Sequence, residues 1–151
     1  MSKLQLYKDD FVLLLETGFI AAGQSDEDSA SKLFKSAQLL DPQNMLPKVG
    51  FGYIHLLKLE LKKAAYCFEE ILTIEPDNQM AKTLLGLALS LHAKEVAKGE
   101  KLLEEVLEET EDTSISKVAA TTLDFIDRFV KKQPTPLEGV PKKSSKKGSK
   151  K

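Results

Sequence analysis

KVGFGYIHLLKLELKKAAYCFEEILTIEP, residues Lys48 to Pro76, carries two apolar faces with a break between them. Val49, Gly52, Tyr53, Leu56 and Leu57 recur at helical spacing in its first half, and Ala64, Ala65, Phe68, Ile71 and Leu72 do so in its second. Lys58 to Lys63 separates the halves. Pro76 bars continuation of the incoming helix, and Asp77-Asn78 offers side-chain acceptors that cap the next one. The stretch therefore predicts a helical hairpin with marked ends. A hairpin this short cannot bury both faces alone, so the same pattern should recur along the chain. Pro42 and Pro76 are 34 residues apart, and the same offset links Gly18, Gly52 and Gly86. Ala30, Phe34 and Ala37 fall on Ala64, Phe68 and Ile71. A third copy keeps Leu85, Gly86 and Leu89, whereas Leu103 to Leu107 matches Phe68 to Leu72 at an offset of 35, so one residue has entered the turn around Lys94 to Lys98. There Gly99 stands where Ala64 stands, and no proline closes the copy.

A small residue where paired helices cross, an aromatic beside it and a closing proline, repeated every 34 residues, resemble the tetratricopeptide repeat. The large aromatic usual early in that repeat's first helix is absent here, with Leu14, Lys48 and Lys82 at those places. The resemblance implies an all-α fold of three helix-turn-helix repeats plus a C-terminal capping helix, wound as a right-handed superhelical solenoid. In chain order the helices are expected at Leu4 to Ala22, Asp28 to Leu40, Met45 to Leu57, Lys63 to Thr73, Gln79 to Ala93, Ala97 to Glu109 and Ser116 to Lys131. Pro47 suits the first turn of the third. The seventh helix, with Val118, Ala119, Leu123, Ile126 and Val130 on one side, would cover the apolar end of the last repeat.

With 151 residues, 42% hydrophobic and 30% charged, the chain has the length and composition of one domain, assigned to residues 1–132. Residues 133–151 carry six lysines against Glu138 and have no periodic apolar face, so they read as a disordered Lys-rich tail. The tail holds +5 and residues 1–132 hold −6, which together make the net −1. Without aromatics or arginine the tail reads as solubilising rather than as a nucleic-acid arm. Apolar runs are too short to span a bilayer, and Met-Ser-Lys-Leu-Gln lacks a signal peptide's apolar core, so a cytosolic location is expected. The single cysteine, Cys67, between Tyr66 and Phe68 on a helix, reads as a buried structural thiol.

Little here supports catalysis. His55 and His92 have no neighbours at the spacing of a metal site or a catalytic triad. Glu69-Glu70, Glu104-Glu105 and Glu108-Glu109 read as solvating pairs on outer helix faces. Gly50 and Gly52 lie inside a helix and do not follow a strand, so they form no phosphate loop. No enzyme activity, metal or cofactor is expected.

On the repeat geometry the first helix of each pair lines a concave groove. The resemblance places Val12, Leu15 and Phe19, then Leu46, Val49, Tyr53 and Leu56, then Met80, Thr83, Leu87 and Ser90 along it. Nearly all are apolar, with Phe19 and Tyr53 as candidate anchors. Tetratricopeptide domains that hold the acidic tails of heat-shock chaperones line this groove with cations, which are missing here. An amphipathic helix presenting residues at i, i+3, i+4 and i+7 fits such a surface better. The length, the terminal helix and the apolar groove resemble the tetratricopeptide-type chaperones of type III secretion. That resemblance implies a secreted needle subunit as the ligand, its amphipathic helix cradled against premature polymerisation, with a small helical co-chaperone as a third partner. The related chaperones of membrane-inserting translocators are the alternative within the same system; they carry an extra N-terminal helical segment, whereas copy one begins here within a few residues of Met1, so the layout looks more like the needle-subunit branch. A general protein scaffold working through the outer acidic face, Glu69, Glu70, Glu104 and Glu105, is the reading from a different class.

Overall fold

Several helices in this chain start where a side chain takes over a backbone bond that a helix leaves open. The computed structural model describes residues 2–131, and the reading of residues 133–151 as a disordered tail lies outside them. Among the described residues there are seven α-helices and no strands: α1 (Lys3–Gly23), α2 (Glu27–Leu40), α3 (Leu46–Leu57), α4 (Leu61–Ile74), α5 (Gln79–Ser90), α6 (Val96–Glu109) and α7 (Thr113–Phe125). A π-helical turn, Ile126–Val130, closes the order. The fold is all-α. Ser2 accepts from the Gln5 amide at 3.3 Å, Asp26 from Ser29 at 3.1 Å, Asn78 from Ala81 at 2.9 Å, and Asp112 from Ser114 at 2.8 Å, so four helix starts are held by acceptors at the N-cap. Pro47 sits in the first turn of α3, where its missing N–H costs nothing.

Two turns share an unusual backbone. Ser25 (φ 64°) follows α1 and Leu59 (φ 57°) follows α3, 34 residues later, both in the left-handed region. Asp26 N–H bonds to Ala21 O at 2.9 Å and Glu60 N–H to His55 O at 2.9 Å, the six-to-one closure of a helix C-terminus that glycine usually serves. Leu59 is also 71% exposed, so it carries the backbone cost with little packing in return. Leu59→Gly should therefore raise stability by about 0.5–1 kcal/mol, read as a shifted urea midpoint with unchanged slope. An unchanged or lowered midpoint would mean that the leucine makes a contact worth more than the strain.

The order of packing follows the order of the chain. The pairs α1–α2, α3–α4 and α5–α6 pack within themselves, α1 touches α3, α3 touches α5, and α7 covers α5 and α6. Three clusters make up the core. Phe11, Leu15, Ala30, Phe34 and Ile54 belong to the first; Val49, Ala64, Phe68, Ile71 and Leu85 to the second; Leu103, Val106, Ala119 and Ile126 to the third. Phe34 fits against Gly18 and Gly50, and Phe68 against Gly52, where a Cβ on any of these glycines would come within 2.6 Å of a ring atom. Glycine is required there by contact between helices.

Three boundaries differ from the expected ones by three residues or more, among them the start of α7, at Thr113 instead of Ser116. Helix α5 stops at Ser90 instead of Ala93, and the connection to α6 covers 91–95 where the two earlier connections cover 24–26 and 58–60. The residue inserted near Lys94 is thus absorbed by a longer turn. Helix α7 ends at Phe125, and its last turn widens so that Lys131 N–H bonds to Ile126 O instead of continuing the α pattern. Val118 and Val130, expected on its inner side with Ala119 and Ile126, are exposed, and Thr122 takes their place.

Candidate functional site

Helix α1 is apolar on more of its circumference than its neighbours cover. Leu4, Tyr7, Phe11, Val12, Leu15 and Phe19, at helical spacing, form one wall of an open cavity of about 830 Å³. Leu40, Asp41 and Asn44 at the α2–α3 turn, Leu46 of α3 and Met80 of α5 face them. The turn is held by Asn44, whose Oδ1 accepts from Leu46 N–H at 3.0 Å. Lys8, Glu16 and Asp41 are the charges on this cavity; everything else that lines it is apolar or neutral. Volume and lining lie within the range of ligand sites, with a few polar groups placed among many apolar ones.

Of the residues placed in the groove from sequence, Val12, Leu15, Phe19, Leu46 and Met80 line the cavity together. Val12 and Met80 are exposed, Phe19 and Leu46 half-buried, and Leu15 buried at the floor. The other groove residues lie elsewhere. Val49 is fully buried and Leu56 nearly so, both inside the second core cluster, so neither has surface left for a ligand. Tyr53 is half-buried between the first and second clusters, its ring 5.6 Å from that of Phe19, which it supports from behind. Leu87 packs against the second cluster. Thr83 and Ser90 are buried, their hydroxyls donating to Gln79 O at 2.7 Å and Gly86 O at 2.6 Å. The physical reason is shared. Helices α3 and α5 have neighbours on two sides, so adjacent positions of one apolar stripe divide between core and groove.

Sequence reasoning passed over Leu4, Tyr7, Phe11, Leu40, Asp41 and Asn44. The signal was present for the first three, because the spacing that selects Val12, Leu15 and Phe19 runs back unbroken to Leu4. Nothing in the periodicity of a helix marks the turn residues.

The titratable groups elsewhere make structural contacts. His55 Nδ1 lies 2.6 Å from Glu60 Oε2, and hydrogen bonds from His55 and then Lys63 lower the Glu60 carboxyl from 4.5 to about 2. Lys58 reaches from the same turn to Glu27 at 3.0 Å, tying the α3–α4 turn to α2. Glu70 pairs with Lys48 at 3.3 Å and Glu109 with Lys82 at 2.9 Å, so two of the paired acids hold neighbouring helices. Cys67 is half-buried, and burial pushes its thiol up, away from the reactive thiolate. Among the described residues no three His, Cys, Asp or Glu side chains come together as a metal site, and no helix is long and apolar enough to cross a membrane. The chain matches no protein-family model, and neither a curated protein nor a solved structure shows significant similarity to it.

Proposed function

We propose that this chain is a three-repeat tetratricopeptide solenoid with a capping α7, and that its α1-walled groove binds the amphipathic helix of a partner protein. The cavity carries the reading: about 830 Å³ of open space lined mainly by apolar side chains, with Val12 and Met80 exposed in it. An apolar strip of this kind left open to water invites association, and a helix with residues at i, i+3, i+4 and i+7 matches its spacing. The Phe19 ring, packed edge-on against Phe34 at 5.0 Å and against Tyr53 behind it, is a preorganised anchor at the floor. The chemistry is binding without turnover.

In the cytosol such a groove suits a type III secretion chaperone that sequesters the helix through which a needle subunit would polymerise, with a small helical co-chaperone as third component. Holding the subunit buries the polymerising surface, and an interface of roughly 1,200–2,000 Å² would be ordinary for it. No nucleotide, metal or nucleic acid enters this account, and release falls to another component.

The test is co-expression with the needle-subunit gene of the same genome, comparing wild type, Val12→Asp and a Glu69→Lys/Glu104→Lys variant. Val12 is about half exposed, so an aspartate there leaves the fold intact while placing a charge in the groove. A soluble complex is expected with wild type and the outer-face variant, and at least about a tenfold loss of affinity with Val12→Asp. A needle subunit that polymerises regardless, or a complex lost only with the outer-face variant, would overturn the groove reading.

A further inference from the structure

Residues four apart on α1 form one exposed ridge: Leu4, Lys8, Val12, Glu16 and Ile20. Its chemistry is symmetric about the middle in kind and inverted in charge: apolar, cation, apolar, anion, apolar. Leu4 is 66% exposed, Val12 49% and Ile20 60%. Neither charge has a partner on its own helix. Three or four residues either way bring Gln5, Leu4, Phe11 and Val12 to Lys8, and Leu13, Val12, Phe19 and Ile20 to Glu16, all uncharged. No ion pair reaches either from the other described residues.

Helix geometry turns this order into a prediction about a partner. Each step of four residues advances about 6 Å along the axis and about 40° around it. Lys8 and Glu16 are therefore displaced from Val12 by equal and opposite amounts in both height and angle. With the two helices crossed by about 50°, so that their i, i+4 ridges run along each other, a two-fold axis beside Val12 and at right angles to that ridge carries the Glu16 of a second copy onto the position facing Lys8, and the reverse contact follows by symmetry. Leu4 and Ile20 turn away around the helix, so the contact is centred on Lys8, Val12 and Glu16.

We propose that α1 pairs antiparallel with α1 of a second copy of this chain, across a two-fold axis at Val12 and through two reciprocal Lys8–Glu16 ion pairs. An unrelated helix would have to match this order of charge independently, whereas a second copy supplies it by symmetry, as an isologous interface requires. Valine meets valine at the axis, which removes an exposed apolar side chain of the groove wall from water. Since Val12 also lines the cavity, the dimer and the helix-bound form are alternatives, and a helix ligand would have to displace the second copy. The pairing goes beyond the helix-binding reading and stands or falls separately from it.

Sedimentation equilibrium of the full chain, in low salt, tests the pairing with wild type, Lys8→Glu, Glu16→Lys and an equimolar mixture of the two variants. Both positions are exposed, so helicity by circular dichroism should match wild type throughout. Each variant alone places like charges at both contacts, and its self-association should be about ten- to a hundredfold weaker than that of wild type. The mixture restores opposite charges at both contacts and should recover dimer. Monomeric wild type, a dimer that survives both substitutions, or a mixture that stays monomeric would each overturn the proposal.

Discussion

Replacing Phe34 by alanine should cost about 3–5 kcal/mol, the upper range for a single core truncation. The ring is fully buried and belongs to three helices at once. It extends from α2, lies against Gly18 of α1 and Gly50 of α3, and meets Phe19 at 5.0 Å and Phe51 at 5.8 Å, both edge-on. Neither glycine has a side chain that can move in to fill the space, so the cavity would persist, and the residual volume sets the size of the loss. Edge-on aromatic contacts add about 0.5–1.5 kcal/mol each beyond burial, and two of them go. Against a total stability of about 5–15 kcal/mol, the variant should be partly unfolded or close to it at physiological temperature. Urea denaturation followed by circular dichroism measures this directly. Phe129→Ala, which truncates an aromatic 54% exposed on the closing turn, should change the midpoint far less. Equal losses from the two would mean that Phe34 does not join the helices as its contacts indicate. Because Phe34 also sets the position of the Phe19 ring, milder changes such as Phe34→Leu should weaken groove binding before they unfold the chain.

The helical hairpins were legible because their limits are written in local chemistry. Pro42 and Pro76 stop α2 and α4, while Asp26, Asn78 and Asp112 cap α2, α5 and α7 through bonds that depend only on neighbouring residues. Phe34 and Phe68 recur at the same offset as Gly18 and Gly52, so the repeat resemblance already set a small residue and an aromatic side by side where paired helices cross. The groove was only half legible. Helical periodicity places Val49, Leu46 and Tyr53 on one broad apolar side of α3, but whether each faces water depends on where α1 and α5 lie beside it. Val49 went to the core and Leu46 to the cavity for that reason. Asp41 and Asn44 escaped notice because a turn has no period. The π-helical end of α7 has no sequence signal that we can name.

Gly99→Ala should destabilise by about 2–3 kcal/mol, although alanine is the better helix former by about 1 kcal/mol. Gly99 lies in the first turns of α6 where it crosses α5. A Cβ there would collide with Ser90 Oγ and would stand 2.6 Å from Gly86 O and 2.7 Å from Ser90 N. A hydroxyl can rotate away, but two backbone atoms of a regular helix cannot, so α6 would have to withdraw from α5. Ala64, at the matching place on α4, is fully buried against α3 and tolerated, which shows that the requirement comes from the closer approach of the third pair. Gly23, at the end of α1, is the opposite case: nothing lies within 4 Å of its Cβ position, and Gly23→Ala should add about 0.4–1 kcal/mol by restricting the unfolded chain. Ser90 separates the two parts of the clash. Its hydroxyl donates to Gly86 O at 2.6 Å, and Ser90→Ala removes that bond and the mobile atom together. If backbone contact dominates, the Gly99→Ala/Ser90→Ala double variant should remain well below Ser90→Ala in stability. Equal stability of the two would place the whole collision on the hydroxyl and show that the helices can carry a methyl group between them. The outcome bears on the groove as well, because Met80 reaches the cavity from the same α5 that a withdrawn α6 would release.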